Sequence, residues 1–211
     1  SEKKAGALVI DIGGGTSDFA LYKDGYVVYT GVIPVGGDHI SNDLSMGLRT
    51  NVQLADSLKL REGLAIHAKQ NLEENTWLVG NQSIGDRKIP LTSVNKIVES
   101  RIKELFELIL EELEEVKLYK PSEIGTGVIL TGGTSRMEGI EAIASKIFDL
   151  KCTKGESTWE IDENLNIPEY STTLGLLSYA LGVFEEKQNK NTNNFLGNLF
   201  RNFFPKDLKL P

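Results

Sequence analysis

Asp11-Ile-Gly-Gly-Gly-Thr-Ser-Asp18 sets a carboxylate just ahead of three consecutive glycines and a hydroxyl directly after them. Backbone amides in such a run can turn toward one point, and no Cβ keeps a phosphate from approaching them. Asp11 stands where it can hold magnesium through water, since this hard cation takes carboxylate and water oxygens. Thr16 adds a further oxygen. The loop is not a P-loop, because no Gly-Lys-Ser/Thr occurs in the chain, and it is not the dinucleotide fingerprint, whose third glycine would fall at Asp18. Taken alone, the same residues also suit a plain glycine turn between two strands.

A second cluster, Thr131-Gly-Gly-Thr-Ser-Arg-Met-Glu-Gly139, follows about 120 residues later. Gly132 and Gly133 would let a base or ribose lie against the backbone while the next helix begins. Two strand-to-Gly-Gly loops that far apart fit the two edges of one nucleotide cleft.

The elements that must position these loops are legible from periodicity. Ala7 to Ile10 is a short apolar run ending at Asp11 and reads as a buried strand. Phe19 to Tyr22, the Asp24-Gly25 turn and Tyr26 to Val35 read as a hairpin, which makes the opening a three-stranded meander. Gly36-Gly37-Asp38 supplies a break and a helix start, with Ile40, Leu44 and Leu48 on one face. Leu54, Leu58, Leu64 and Ala68 predict a second helix through about Leu72. Short strands are expected between Trp77 and Ile89. A long amphipathic helix should run from Val94 to Leu118, with Ile97, Ile102, Leu105, Ile109 and Leu113 inside. Val128 to Thr131 repeats the opening device as a strand, followed by helices from about Glu138 to Phe148 and from Tyr170 to Glu186.

Composition narrows the classes. The 211 residues are 40% hydrophobic, enough for a core and against wholesale disorder. A net charge of −7 argues against a nucleic-acid binder. The single cysteine, Cys152, forms no intrachain disulfide and implies a reducing compartment, and with two histidines it argues against a zinc site. No apolar run approaches the roughly 18 residues that span a bilayer, and no signal peptide opens the chain. The start at Ser1 points to a piece of a longer protein.

The C-terminal stretch has its own logic. Residues 187–194 read as a polar, flexible linker. Beyond it, Phe195, Leu196, Leu199, Phe200, Phe203 and Phe204 fall within about half a helical circumference at ~100° per residue, with Asn198, Arg201 and Asn202 opposite. Five basic residues and one acid stand after Glu186, which suits an anionic membrane surface. Such a helix also fits a groove on this chain or on a partner. Its net affinity for a membrane should be a few kcal/mol at about ten residues' length, so stable attachment needs several tails together.

These motifs carry a resemblance. Asp11 to Asp18 resembles the second phosphate loop of actin-like ATPases, and Ile129 to Ile140 resembles their adenosine loop. Val32-Ile-Pro-Val-Gly-Gly-Asp-His-Ile-Ser-Asn-Asp43 and the terminal amphipathic helix are most similar to the FtsA family of bacterial division proteins, which tether FtsZ filaments to the membrane. The similarity covers nearly the whole chain but only the C-terminal half of such a protein.

The resemblance implies an α/β, ribonuclease H-like fold with a mixed five-stranded sheet flanked by helices. Residues 1–36 and 125–186 would form subdomain IIA, 37–124 subdomain IIB, and 195–204 the membrane-targeting helix. Asp11 would bind magnesium-water and position the attacking water. Gly13, Gly14, Gly15 and Thr16 would contact the β- and γ-phosphates of ATP; Gly132, Gly133 and Thr134 would line the nucleoside side. Asp56 and Lys59 have the spacing of an acid and a lysine that relatives place against adenosine, which is also that of a solvated helix pair. Arg101 sits where the family presents a basic residue to the acidic FtsZ tail, or is a surface arginine. Self-association into actin-like filaments, a location on the inner face of the cell membrane at the septum, and weak nucleotide binding with negligible turnover by this chain alone are further expectations. A sugar kinase of the same superfamily, a pilus assembly protein of the PilM type and a rod-shape actin homologue are the alternatives.

Overall fold

The computed structural model describes residues 2–65, 75–78, 85–155, 162 and 164–188. The predicted terminal helix, with Phe195 to Phe204, and the stretch through Ala68 to Leu72 lie outside them. The chain divides into two compact units, residues 1–155 and 156–211.

In the first unit a single turn, α1 (Glu2–Ala5), leads into β1 (Ala7–Ile12), β2 (Ser17–Lys23) and β3 (Tyr26–Ile33). These are the expected antiparallel meander, with Asp24 and Gly25 both at positive φ in the tight turn that joins β2 to β3. There follow α2 (Gly37–Leu48), α3 (Val52–Glu62), the antiparallel pair β4 (Asn75–Leu78) and β5 (Arg87–Pro90), the long α4 (Leu91–Glu115), β6 (Gly127–Thr131), α5 (Ile140–Phe148) and β7 (Cys152–Lys154). The main sheet has the order β3-β2-β1-β6-β7, in which β6 pairs parallel to both β1 and β7.

The β1–β6 register is the feature that matters for the site. Ile10 lies beside Leu130 and Asp11 beside Thr131, so two loops separated by 120 residues of chain leave neighbouring strands at the same level. Their apolar residues hold that register: Leu8, Ile10 and Ile12 of β1 and Val128 and Leu130 of β6 are fully buried. A one-residue slip would exchange the two faces of the strand, which this burial forbids.

Helix α4 packs on α2, α3 and α5. Val98, Ile102, Leu105, Phe106, Ile109 and Leu113 form its buried stripe. Ile97, expected inside, is only partly buried. Phe106 meets Phe148 of α5 edge-on at 5.7 Å between centroids, a favoured aromatic geometry.

The structure corrects the second helix. It ends at Glu62, not near Leu72, because Gly63 takes an extended backbone as the C-cap and its N–H closes onto Lys59 O at 2.9 Å. Leu64 is not a helical residue. It makes a bridge with Glu138, and the buried Asn95 of α4 accepts its N–H at 3.0 Å.

Strand β7 was not anticipated. Its three half-buried residues offer no alternation to read, and the pairing with β6 is a tertiary property. Burial beside β6 pushes the Cys152 thiol up to about 12, with Glu141 adding to the rise. The thiolate is the reactive form, so at pH 8 alkylation should run about three orders of magnitude below that of an exposed thiol. Iodoacetamide labelling followed against pH tests this: labelling at the free-thiol rate would contradict it.

In the second unit, a 3-10 turn at Pro168–Tyr170 precedes α6 (Ser171–Gln188), which exposes Leu176 and Tyr179. Among the described residues no helix is long and apolar enough to cross a membrane.

Candidate functional site

Three glycine loops, rather than two, meet at the ends of β1 and β6. The first is the turn after β1, in which the Gly13 N–H bonds Thr16 O at 2.9 Å. Gly14, Gly15 and Thr16 are exposed, and among the described residues their amides have no backbone acceptor. A Cβ at Gly15 would meet nothing within 4 Å. The loop therefore presents open donors to an open face, the arrangement that receives an oxyanion.

The second loop follows β6. Thr134 Oγ1 donates to Gly13 O at 3.1 Å and ties the two loops together directly. Gly132 packs so closely on β1 that a Cβ would lie 2.3 Å from Asp11 Oδ1 and 2.5 Å from Ile12 O. Its φ of +82° and ψ of 162° occupy a region that is essentially glycine's alone. Gly133 is exposed beside it.

The third loop, Gly36-Gly37, starts α2. A Cβ on Gly36 would lie 2.4 Å from Gly14 O, and one on Gly37 would lie 2.6 Å from Thr134 Oγ1. The first amides of a helix have no partner within it. Here the N–H groups of Gly37 and Asp38 bond Gly13 O and Gly14 O at 2.9 and 2.8 Å, and the Gly36 N–H bonds His39 Nδ1 at 3.1 Å. The start of α2 is thus spent on holding the glycine turn, which leaves the amides of that turn as the available donors. This role was missed in the sequence, although the signal was present: Gly36-Gly37 repeats the strand-to-Gly-Gly device of the other two loops.

Asp56 and Lys59 come to the same place from α3. Lys59 Nζ donates to Gly37 O at 3.1 Å and to Ser41 Oγ at 2.8 Å, and pairs with Asp56 Oδ1 at 2.7 Å. Ser41, buried on α2, donates to the same Asp56 oxygen at 2.7 Å. The bonds from Lys59 and then Ser41 hold the Asp56 carboxyl below its usual range. Because the folded-state pKa is depressed, the stability from this contact is present above the ordinary carboxylate pKa and is lost as pH falls through the lower, folded value. Ser41→Ala should cost about 1–2 kcal/mol and raise the Asp56 pKa. A carbon-detected NMR titration of the Asp56 carboxyl reads the shift, and an unmoved pKa would contradict the assigned hydrogen bond.

Arg101 is elsewhere and differently engaged. Its Nε and Nη2 bind Asp43 of α2 at 2.5 and 2.9 Å, and Nη1 pairs with Glu104. Asp43 is the main cause that raises the guanidinium pKa. Asp43, Lys96, Ile97, Ser100, Arg101 and Glu104 line a groove between α2 and α4.

Comparison with known proteins places this geometry. Residues 8–175 match the family described as cell division protein FtsA. The cell division protein FtsA of Neisseria meningitidis serogroup B is 38% identical over 182 residues, which is 85% of this chain and 44% of that protein. This chain thus spans less than half of that relative's length. Among solved structures, MreB 5 of Spiroplasma citri bound to AMPPNP superposes with a TM-score of 0.71 at 20% identity, over 90% of this chain and 57% of that one. A MamK double helical filament gives 0.55 at 18%, over 72% of this chain and 50% of that one. The fold is that of the actin-like ATPases, and the chain belongs to the FtsA family of cell division proteins.

Proposed function

We propose that this chain is the nucleotide-holding and partner-binding part of an actin-like adaptor that tethers FtsZ filaments to the cytoplasmic membrane at the septum. The observation that carries the reading is the junction of three glycine loops in a member of the FtsA family.

The residues fit ATP with magnesium. Glycine backbones approach one another where no Cβ has room, among the described residues the amides of Gly14, Gly15 and Thr16 have no backbone acceptor, and Asp11 stands at the end of β1 beside them. Gly13 to Thr16 would receive the β- and γ-phosphates. Gly132, Gly133 and Thr134 would face the nucleoside, together with Asp56 and Lys59. Asp11 would hold the ion through water and orient the water that attacks the γ-phosphate. Magnesium bound there supplies neutralisation of phosphate charge. AMPPNP in the MreB 5 neighbour supports a nucleotide.

The MamK filament supports self-association by a shared fold. The subdomain reading, IIA from residues 1–36 and 125–186 and IIB from 37–124, places the α2–α4 groove on IIB, where the acidic FtsZ tail would bind. Phe195, Leu196, Leu199, Phe200, Phe203 and Phe204 would enter the membrane surface, each tail binding weakly and many acting together in a filament.

Co-sedimentation with anionic vesicles tests the adaptor. FtsZ should pellet with vesicles containing phosphatidylglycerol only when the chain is present, and not when the chain stops at Gln188. FtsZ that remains in the supernatant with the full chain would contradict the proposal.

A further inference from the structure

The first turn of α2 lacks the usual means of fixing its N-cap. Helices commonly begin with a side-chain oxygen that takes a backbone amide, matched by a Glu or Gln three residues on that reaches back. Gly36 is the N-cap here and has no side chain. It admits none, since a Cβ would lie 2.4 Å from Gly14 O and 2.7 Å from Gly13 O. Glycine also has the widest backbone freedom of any residue, so another group must hold the Gly36 peptide in place. His39, at the third helical position, does this. Its Nδ1 accepts the Gly36 N–H at 3.1 Å, and its own backbone N–H bonds Gly36 O at 3.1 Å.

That bond lies one step from the glycine turn after β1. The next two amides of the chain, those of Gly37 and Asp38, donate to Gly13 O and Gly14 O. Turning the Gly36 peptide displaces both donors, and with them the turn that carries the amides of Gly14, Gly15 and Thr16.

Only one protonation state of His39 can serve. A ring nitrogen that accepts a hydrogen bond carries no proton, so the neutral imidazole holds its proton on Nε2, whereas the imidazolium has two donors and no acceptor. The ring is half-buried, and among the described residues no charged group pairs with it. The charged groups on α2 beside it are Asp38 and Asp43, and those from the helices packed on α2 include Asp56 and Lys59 of α3 and Arg101 of α4. Asp43 is paired with Arg101 and Asp56 with Lys59. Asp11, Asp18 and Arg136 stand around the glycine loops.

We infer that His39 is a positioning residue for the nucleotide-binding turn, which it braces through Gly36 only while Nδ1 is unprotonated, so that acid releases the start of α2 and weakens nucleotide binding. This rests on the reading of the glycine loops as a nucleotide site. Glu or Gln at the same position, the ordinary partners in a capping box, would hold the same amide without a charge change near neutrality. The histidine therefore adds a response to pH that bracing alone does not need.

The test is the affinity of the full chain for a non-hydrolysable ATP analogue with magnesium, read by NMR titration at about pH 7.5 and about pH 5.8, on either side of the usual histidine range. A long-range proton–nitrogen spectrum of the imidazole accompanies it and should place the ring proton on Nε2 at the higher pH. His39→Ala should weaken nucleotide binding about three- to tenfold at that pH, the worth of one hydrogen bond, and speed hydrogen exchange of the Gly36 amide. His39→Gln should stay within about twofold of the wild type there and lose about threefold less affinity on acidification. Protonation of the nucleotide and of His67 is common to both chains and cancels in that comparison. A proton on Nδ1, wild-type affinity and an unmoved Gly36 amide in His39→Ala, or an acid loss in His39→Gln equal to that of the wild type overturns the inference alone. A wild-type chain that binds no nucleotide overturns the reading of the site, and the inference with it. Should His39→Ala fail to fold, the comparison of His39→Gln with the wild type against pH still decides.

Discussion

Gly132→Ala is expected to lower the unfolding free energy by about 3–5 kcal/mol, the combined cost of a side chain in glycine-only backbone territory and of overpacking. The new methyl would sit 2.3 Å from Asp11 Oδ1, 2.5 Å from Ile12 O and 2.7 Å from Ile12 N, and the Ile12 backbone cannot retreat, because it belongs to the central strand of the sheet. For a chain of this length the thermal midpoint should fall on the order of 10 °C. Gly15→Ala is the informative companion. Its Cβ meets nothing within 4 Å and its φ is not positive, so stability should change by less than about 0.5 kcal/mol. The same methyl stands on the open face of the turn, so any loss of nucleotide affinity in this variant reports on the site and not on the fold. Differential scanning calorimetry of the two variants separates these outcomes. Equal stability of both would show that the loops do not pack as described.

The second large effect lies in the core. Phe106→Ala removes a fully buried ring that packs edge-on against Phe148 and should cost about 3–5 kcal/mol. Phe148→Ala should cost a similar amount, and the double variant less than the sum by about 0.5–1.5 kcal/mol, the coupling typical of an aromatic pair. Denaturant unfolding of the three variants measures it. Strict additivity would mean that the α4–α5 contact is not formed by these rings.

Much of this arrangement is readable from the sequence where the cause is local. The Asp24-Gly25 turn between alternating runs announces the hairpin, and the spacing of Ile102, Leu105, Ile109 and Leu113 gives the buried face of α4 directly. The glycine turn after Asp11 and the Gly132-Gly133 loop are also visible, because each follows a short apolar run. What could not be read depends on contacts between distant segments. Strand β7 exists because β6 offers it an edge. Helix α3 stops at Glu62 because Gly63 breaks it and Leu64 is drawn away to Glu138 and Asn95. Periodicity alone carried that helix too far, since Leu64 and Ala68 keep the helical spacing. At the site, Gly36 and Gly37 read in sequence as a helix start, and Ser41 carries no local signal. Their importance lies in Gly13, Gly14, Asp56 and Lys59, none of which is near them in sequence. Arg101 is a further case: the sequence offers a basic residue on the long helix, and its ion pair with Asp43, 58 residues away, is a tertiary property.

The claim on which the functional account depends is that the glycine loops after β1 and β6, braced by the start of α2, face one nucleotide. The most direct measurement is an amide NMR titration of this chain with magnesium and a non-hydrolysable ATP analogue, carried to millimolar concentration. The account predicts that the amides of Gly14, Gly15, Thr16, Gly37, Gly133 and Thr134 shift together along a single binding curve that requires magnesium and is weakened by Gly15→Ala. Shifts confined to other parts of the chain, or separate curves for the loop after β1 and the loop after β6, would contradict it.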